Sequence, residues 1–195
     1  HATTAFYDGH AHIPHRGPLA ALTVPGTLSG WEEALAFSTS LGGGQLPLSR
    51  LLADAIRYAA DGIPVTQSQA SATQAKYAEL VDVPGFADTF LPEGSAPLAG
   101  SRFCQPKLAR TLTRLATEGL GSFYRGPLAT IIAAEMAALG LPVTAQDLAN
   151  HRAQRRVPLR LAHSQGEVFN MTPPTQGLVS LAILGITDHL AMEQA

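Results

Sequence analysis

The apolar residues of this 195-residue chain change their period once, at Pro158, and that change limits the folds open to it. Before it, apolar side chains recur at helical spacing. Leu48, Leu51, Leu52, Ala55, Ile56 and Ala59 follow the i, i+3, i+4, i+7 pattern over residues 48–60, and Gly62 and Pro64 supply the stop. After it, Leu159 and Leu161 alternate with polar neighbours, as do Val168 and Asn170 around Phe169. That alternation predicts two short strands joined near Gly166. Pro173 and Pro174 then break the chain, and residues 178–190 read as a buried helix. Many helices, then a hairpin, then a helix is an α+β order rather than a βαβ alternation.

The remaining segments fit the same plan. Residues 1–26 hold closely spaced Gly, His and Pro and read as irregular loop. Residues 27–37 read as a helix carrying Trp31, Ala34 and Leu35, and residues 67–80 as a more polar one. Residues 82–106, with Pro84, Pro92, Pro97 and Pro106, read as loops. Leu108, Leu112 and Leu115 mark a helix stopped at Gly119, and Pro127 starts another that Gly140 closes. Thr144, followed three residues later by Asp147, resembles a helix N-terminal cap pair.

Composition narrows the function classes. With 13 Lys+Arg against 15 Asp+Glu, the net charge of −2 leaves no electrostatic footprint for nucleic acid or an anionic membrane. Hydrophobic residues at 46% exclude a disordered chain. Charged residues at 14% are too few for a fully solvated surface, so part of it is expected to be covered. The length allows one substantial domain or a piece of a larger one. One cysteine, Cys104, rules out an intrachain disulfide and a Cys-based zinc site. The most apolar run, residues 178–184, is too short for the ~18 residues of a membrane span. There is no basic start before an apolar stretch, hence no visible export signal. The chain starts at His1 without Met and stops at Ala195 after an apolar segment, so both ends read as cut from something longer.

Three constellations are candidates for chemistry. Asp8, His10 and His12, with His1 and His15 nearby, include an x-His-x-His pair that could hold a metal at a strand end. The preceding residues 3–7 make a weak strand, and His151, His163 and His189 do not follow apolar strand runs, so a polar loop is the better reading. Cys104 lies just before a helix start, where a thiol can be activated, but a small packed residue explains it more simply. No Gly-x-Ser-x-Gly elbow occurs, and Gly42, Gly43 and Gly44 lack the Lys-Ser/Thr of a phosphate loop. Third, residues 172–177 join a strand to an apolar helix, whose first N–H groups can face an anion; a rigid turn also accounts for them. No complete catalytic set emerges.

Several short motifs in order resemble one family. Val24, Pro25, Gly26 and Thr27, then Gly30 and Trp31, are similar to the Pro-Gly-Thr-x-x-Gly-(Trp/Phe) stretch of γ-glutamyltransferases (γ-glutamyltranspeptidases). Gln105, Leu108, Ala109, Thr111 and Leu112 match its Gln-x-x-Leu-Ala-x-(Thr/Ser)-Leu helix, and Phe123, Tyr124 and Gly126 its Phe-Tyr-x-Gly. Leu141 to Leu148 and the run Pro173, Pro174, Thr175, Gln176, Gly177 follow at the expected places. The resemblance implies the helix-rich part of a four-layer αββα N-terminal-nucleophile hydrolase. On it, residues 1–195 are a partial large-subunit domain, mostly helical over 27–150 and hairpin plus helix over 158–191, incomplete without a partner segment.

The family's precursors cut themselves, and the new N-terminal Thr of the small subunit attacks a γ-glutamyl amide such as glutathione, with its own α-amino group as base. The resemblance therefore implies no catalytic residue in this chain, no cofactor and no metal, and a small subunit carrying the nucleophilic Thr as partner. It suggests a periplasmic or secreted enzyme. The family's Arg-Glu-x-x-Pro substrate-binding motif is expected just upstream of His1 and is not present here. Thr175, Gln176 and Gly177 are the substrate-binding candidates. Thr-Gln-Gly-Leu replaces the Ser-Ser-Gly-Gly common in the family, which puts γ-glutamyl specificity in question. A glutaryl or cephalosporin acylase of the same superfamily is the alternative, and a helical binding module without chemistry the second.

Overall fold

The computed structural model describes residues 2–190; His1 and residues 191–195 lie outside the described part. The chain divides after Ala153 into two compact units. Among the described residues the first holds eight α-helices, α1 (Thr27–Ser40), α2 (Leu48–Asp61), α3 (Gln67–Leu80), α4 (Phe86–Phe90), α5 (Pro106–Glu118), α6 (Ser122–Arg125), α7 (Pro127–Ala138) and α8 (Ala145–Asn150), and short 3-10 turns at Thr4–Tyr7, Pro18–Ala20 and Pro92–Gly94. It also holds two two-residue strands, β1 (Ile63–Pro64) and β2 (Arg102–Phe103).

The predicted amphipathic helix forms and α2 packs along α5, but its stripe is only partly covered: Leu52 and Ala59 are buried, while Leu51 and Ala55 are exposed. Leu52 of α2 joins Leu115, Leu120 and Leu128 in a buried cluster, with Ile56, Leu112 and Phe123 packed around it. Burying such a leucine stabilises by about 2 kcal/mol. Gly62 ends α2 at φ 90°, where a Cβ would lie 2.7 Å from the Arg102 side chain and 3.1 Å from the Phe103 carbonyl, so the turn needs glycine.

Two expectations for residues 82–106 are corrected. The segment is not all loop: it contains the five-residue α4, and β2 pairs antiparallel with β1, Ile63 opposite Phe103. Elements this short offer no full period to read. Cys104 is exposed rather than packed, because β2 turns Phe103 inward at 7% exposure and alternation sends the next side chain out.

The Thr144–Asp147 pair forms a reciprocal cap on α8. The Asp147 N–H donates to Thr144 Oγ1 at 3.2 Å, and Thr144 N–H donates to Asp147 Oδ2 at 2.9 Å. The Thr144 hydroxyl, donating at 2.7 Å, and then its amide hold the Asp147 carboxyl below its ordinary value. A depressed folded pKa means the stabilisation is present above the ordinary carboxylate range and is lost as pH falls through it. Thr144→Ala is expected to cost about 1 kcal/mol at neutral pH and less in acid, measured by urea melts at the two pH values. A cost that does not shrink in acid would refute the linkage.

The second unit is a hairpin and a helix. β3 (Leu159–His163) pairs antiparallel with β4 (Gly166–Asn170), Leu161 opposite Val168. Leu159, Leu161, His163, Val168 and Asn170 form its more protected face. α9 (Gly177–His189) packs on this hairpin. Here a further expectation fails. α9 is not buried in this chain: only Gly177 and Leu181 are, while Leu178, Val179, Ile183 and Ile186 are 50–59% exposed.

Candidate functional site: the turn into α9

The three substrate-binding candidates sit on the turn between β4 and α9, and they do different work. The peptide between Pro173 and Pro174 is cis. Thr175 Oγ1 lies 3.1 Å from the Thr172 carbonyl and 3.2 Å from that of Met171, and it accepts the Gly177 N–H at 3.2 Å. Its side chain therefore ties the turn to the first amide of α9. A Cβ on Gly177 would lie 2.4 Å from the Met171 carbonyl and 2.6 Å from Asn170 Oδ1, so any side chain there pushes the helix off the turn. Asn170 Oδ1 is itself held by the Met171 N–H at 2.8 Å. Gln176 is exposed, and its side-chain amide has no partner among the described residues. The N–H groups of Leu178 and Val179 likewise meet no acceptor among them, as expected at a helix start without a side-chain cap. Thr175 and Gly177 thus shape the turn, while Gln176 and two amides are neutral donors free to meet a carboxylate or oxyanion.

A cluster absent from the sequence reading lies at the other end of α9. Ser164 Oγ donates to Asp188 Oδ1, the Ser164 N–H donates to Oδ2 at 3.0 Å, and His163 Nε2 stands 3.7 Å from Oδ1. These are the residue types of a nucleophilic triad, but not its wiring. His163 Nδ1 accepts the Gln165 N–H at 3.1 Å and lies 3.5 Å from Ser164 Oγ, whose proton goes to the far nearer Asp188 carboxylate rather than to imidazole. The group clasps the hairpin turn to α9. The Ser164 hydroxyl and amide, with His163 and His189, hold the Asp188 carboxyl below its ordinary value. Residues 24 apart leave no spacing signal by which to find them.

The remaining candidates do not converge on chemistry. Asp8, His10 and His12 line an open cleft of about 420 Å³ with Thr3, Tyr7 and Leu22. Among the described residues no three His, Cys, Asp or Glu side chains are grouped to hold a metal, and His1 lies outside them. No described helix is long and apolar enough to cross a membrane.

The motifs themselves meet in space. Tyr124, 1% exposed, donates its hydroxyl to the Pro25 carbonyl at 2.7 Å and accepts the Ser29 N–H at 3.0 Å. Ser29 Oγ in turn accepts the Ala153 N–H at 2.7 Å, and the His151 ring lies 5.3 Å from that of Tyr124. The Pro25-Gly26-Thr27 and Phe123-Tyr124 motifs are two sides of one joint. Residues 1–195 match the family model described as gamma-glutamyltranspeptidase. The chain belongs to the γ-glutamyltranspeptidase family. It is 62% identical over 194 residues to the oxamate amidohydrolase proenzyme of Klebsiella pneumoniae, covering 100% of this chain and 37% of that protein. It is 35% identical over 175 residues to the glutathione hydrolase proenzyme of Pseudomonas aeruginosa, covering 89% of this chain and 30% of that one. Among solved structures, cephalosporin acylase from Bacillus halodurans superposes with a TM-score of 0.85 at 34% identity, over 95% of this chain and 35% of that one. The fold class of this γ-glutamyltranspeptidase-family chain is the helix-rich part of an N-terminal-nucleophile hydrolase. It spans about a third of the length of these relatives, 30–37%.

Proposed function

We propose that this chain is the large-subunit part of an N-terminal-nucleophile amidohydrolase whose reactive Thr lies in the rest of the protein, and that its substrate is a short carboxylate-bearing amide of the oxamate type. The observation that carries this reading is the 62% identity, across the whole chain, to a protein named for oxamate hydrolysis, against 35% to one named for glutathione. The site agrees with the division of labour: the turn at residues 175–177 offers neutral donors, and the described Ser-His-Asp group is wired as a clasp.

The chemistry follows from one amide and one hydroxyl. The Thr oxygen attacks the amide carbonyl while its own α-amino group takes the hydroxyl proton. That proton passes to the leaving nitrogen, which departs as ammonia. Water then cleaves the ester, releasing the dicarboxylate and restoring the hydroxyl. N–H donors near the carbonyl oxygen stabilise the charge that develops there.

A γ-glutamyl amide is the second reading, supported by the glutathione hydrolase at 35% identity, and a glutaryl-type amide the third, supported by the acylase structure. Both are longer than oxamate, and only the γ-glutamyl amide carries an α-amino group. The test compares ammonia release from oxamate with p-nitroaniline release from γ-glutamyl and glutaryl p-nitroanilides, using the full-length protein. Oxamate is expected to be preferred in kcat/KM by at least about 100-fold, since a site fitted to one set of polar groups discriminates strongly against another. Preference for either anilide would overturn the choice of substrate while leaving the hydrolase reading in place.

A further inference from the structure

We infer that His12 and His15, on the loop before α1, are paired ligands for a divalent cation of the zinc type. The x-His-x-His spacing singles out His10 with His12, and the fold pairs the rings otherwise. His10 turns its ring toward Tyr7, with centres 6.4 Å apart and an edge-to-face angle of 85°. The His12 ring lies beside that of His15, with centres 5.4 Å apart and planes tilted by 32°. Both residues are exposed, and their ring nitrogens meet no hydrogen-bond partner among the described residues.

The distance between the rings carries the argument. An imidazole nitrogen binds zinc at about 2.1 Å, which puts the ring centre about 3.2 Å from the ion. Two such rings at the tetrahedral angle have centres about 5.2 Å apart, against about 4.5 Å for neighbouring ligands of a square-planar ion. The observed 5.4 Å stands close to the tetrahedral value. The loop is also held in place without an ion. Pro14 fixes one backbone angle between the two histidines. The Tyr7 hydroxyl donates to the Leu19 carbonyl at 2.8 Å, which closes the loop around the pair. The neighbouring cation, Arg16, meets Glu79 of α3 at 2.9 Å, so a carboxylate stands against its charge. Asp8 lines the same cleft as His12 and adds negative charge there. Among the described residues no third His, Cys, Asp or Glu completes a set, so water takes the remaining positions on the ion.

The test titrates the full-length protein with zinc chloride by isothermal calorimetry, beside His12→Gln, His15→Gln and His10→Gln. All three positions are exposed, so the variants are expected to fold. Either His12→Gln or His15→Gln is expected to weaken one zinc equivalent by at least about tenfold, the least that loss of even an outer-shell partner costs. His10→Gln is expected to leave that equivalent in place. Absence of zinc binding by the parent protein would overturn the proposal. So would an unchanged titration in His12→Gln or His15→Gln, or a loss in His10→Gln as large as in the other two. The amide assays do not enter this test, so its outcome is independent of the hydrolase reading.

Discussion

Tyr124→Phe is expected to destabilise the protein by about 2–3 kcal/mol, although it removes a single oxygen atom. The reason is the start of α1. Its N-cap residue, Gly26, has no side chain to satisfy the first-turn amides, and the structure shows no side-chain cap. The Tyr124 hydroxyl, 95 residues away in sequence, accepts the buried Ser29 N–H instead and donates its own O–H to the Pro25 carbonyl. Phenylalanine fills the same space and leaves that amide buried without an acceptor, which costs more than the lost bond alone. Denaturant melts of Tyr124→Phe beside Tyr58→Phe, whose ring is 50% exposed, separate this from a general effect of losing a phenol. A shift no larger than that of Tyr58→Phe would show that the joint carries no such weight.

The same joint explains why much of the fold was legible in the sequence and the site was not. Residues 48–60 announced α2 because a two-faced helix has a period that survives any context, and Thr144 with Asp147 announced a cap because the bonds are local. The motifs at Pro25 and Tyr124 carried the family resemblance, yet their physical role is a long-range hydrogen bond that no spacing encodes. β1 and β2 escaped notice because two residues cannot show an alternation. Cys104 reads as packed from residue type alone and is exposed because the neighbouring Phe103 takes the inward position. α9 misled in an instructive way. Its composition is that of a buried helix, and in this chain only its hairpin side is covered. Thr175, Gln176 and Gly177 stand out by position in a motif; only the fold separates the two that hold the turn from the one free side chain.

The second large effect concerns where the reactive atom resides. If the nucleophile lies in the rest of the protein, then residues 1–195 carry none of the covalent chemistry. They supply instead a turn held by Thr175 and Gly177 and the core beneath α1 and α2. Acyl transfer to a hydroxyl leaves an ester long enough lived to be trapped in acid. The direct measurement is to mix the full-length protein with the amide it hydrolyses best, quench in acid during turnover, and map the acyl adduct by peptide mass spectrometry. The adduct is expected on a Thr that begins a peptide outside His1–Ala195. An adduct on any residue within those 195, Ser164 and Cys104 included, would contradict the account at its centre.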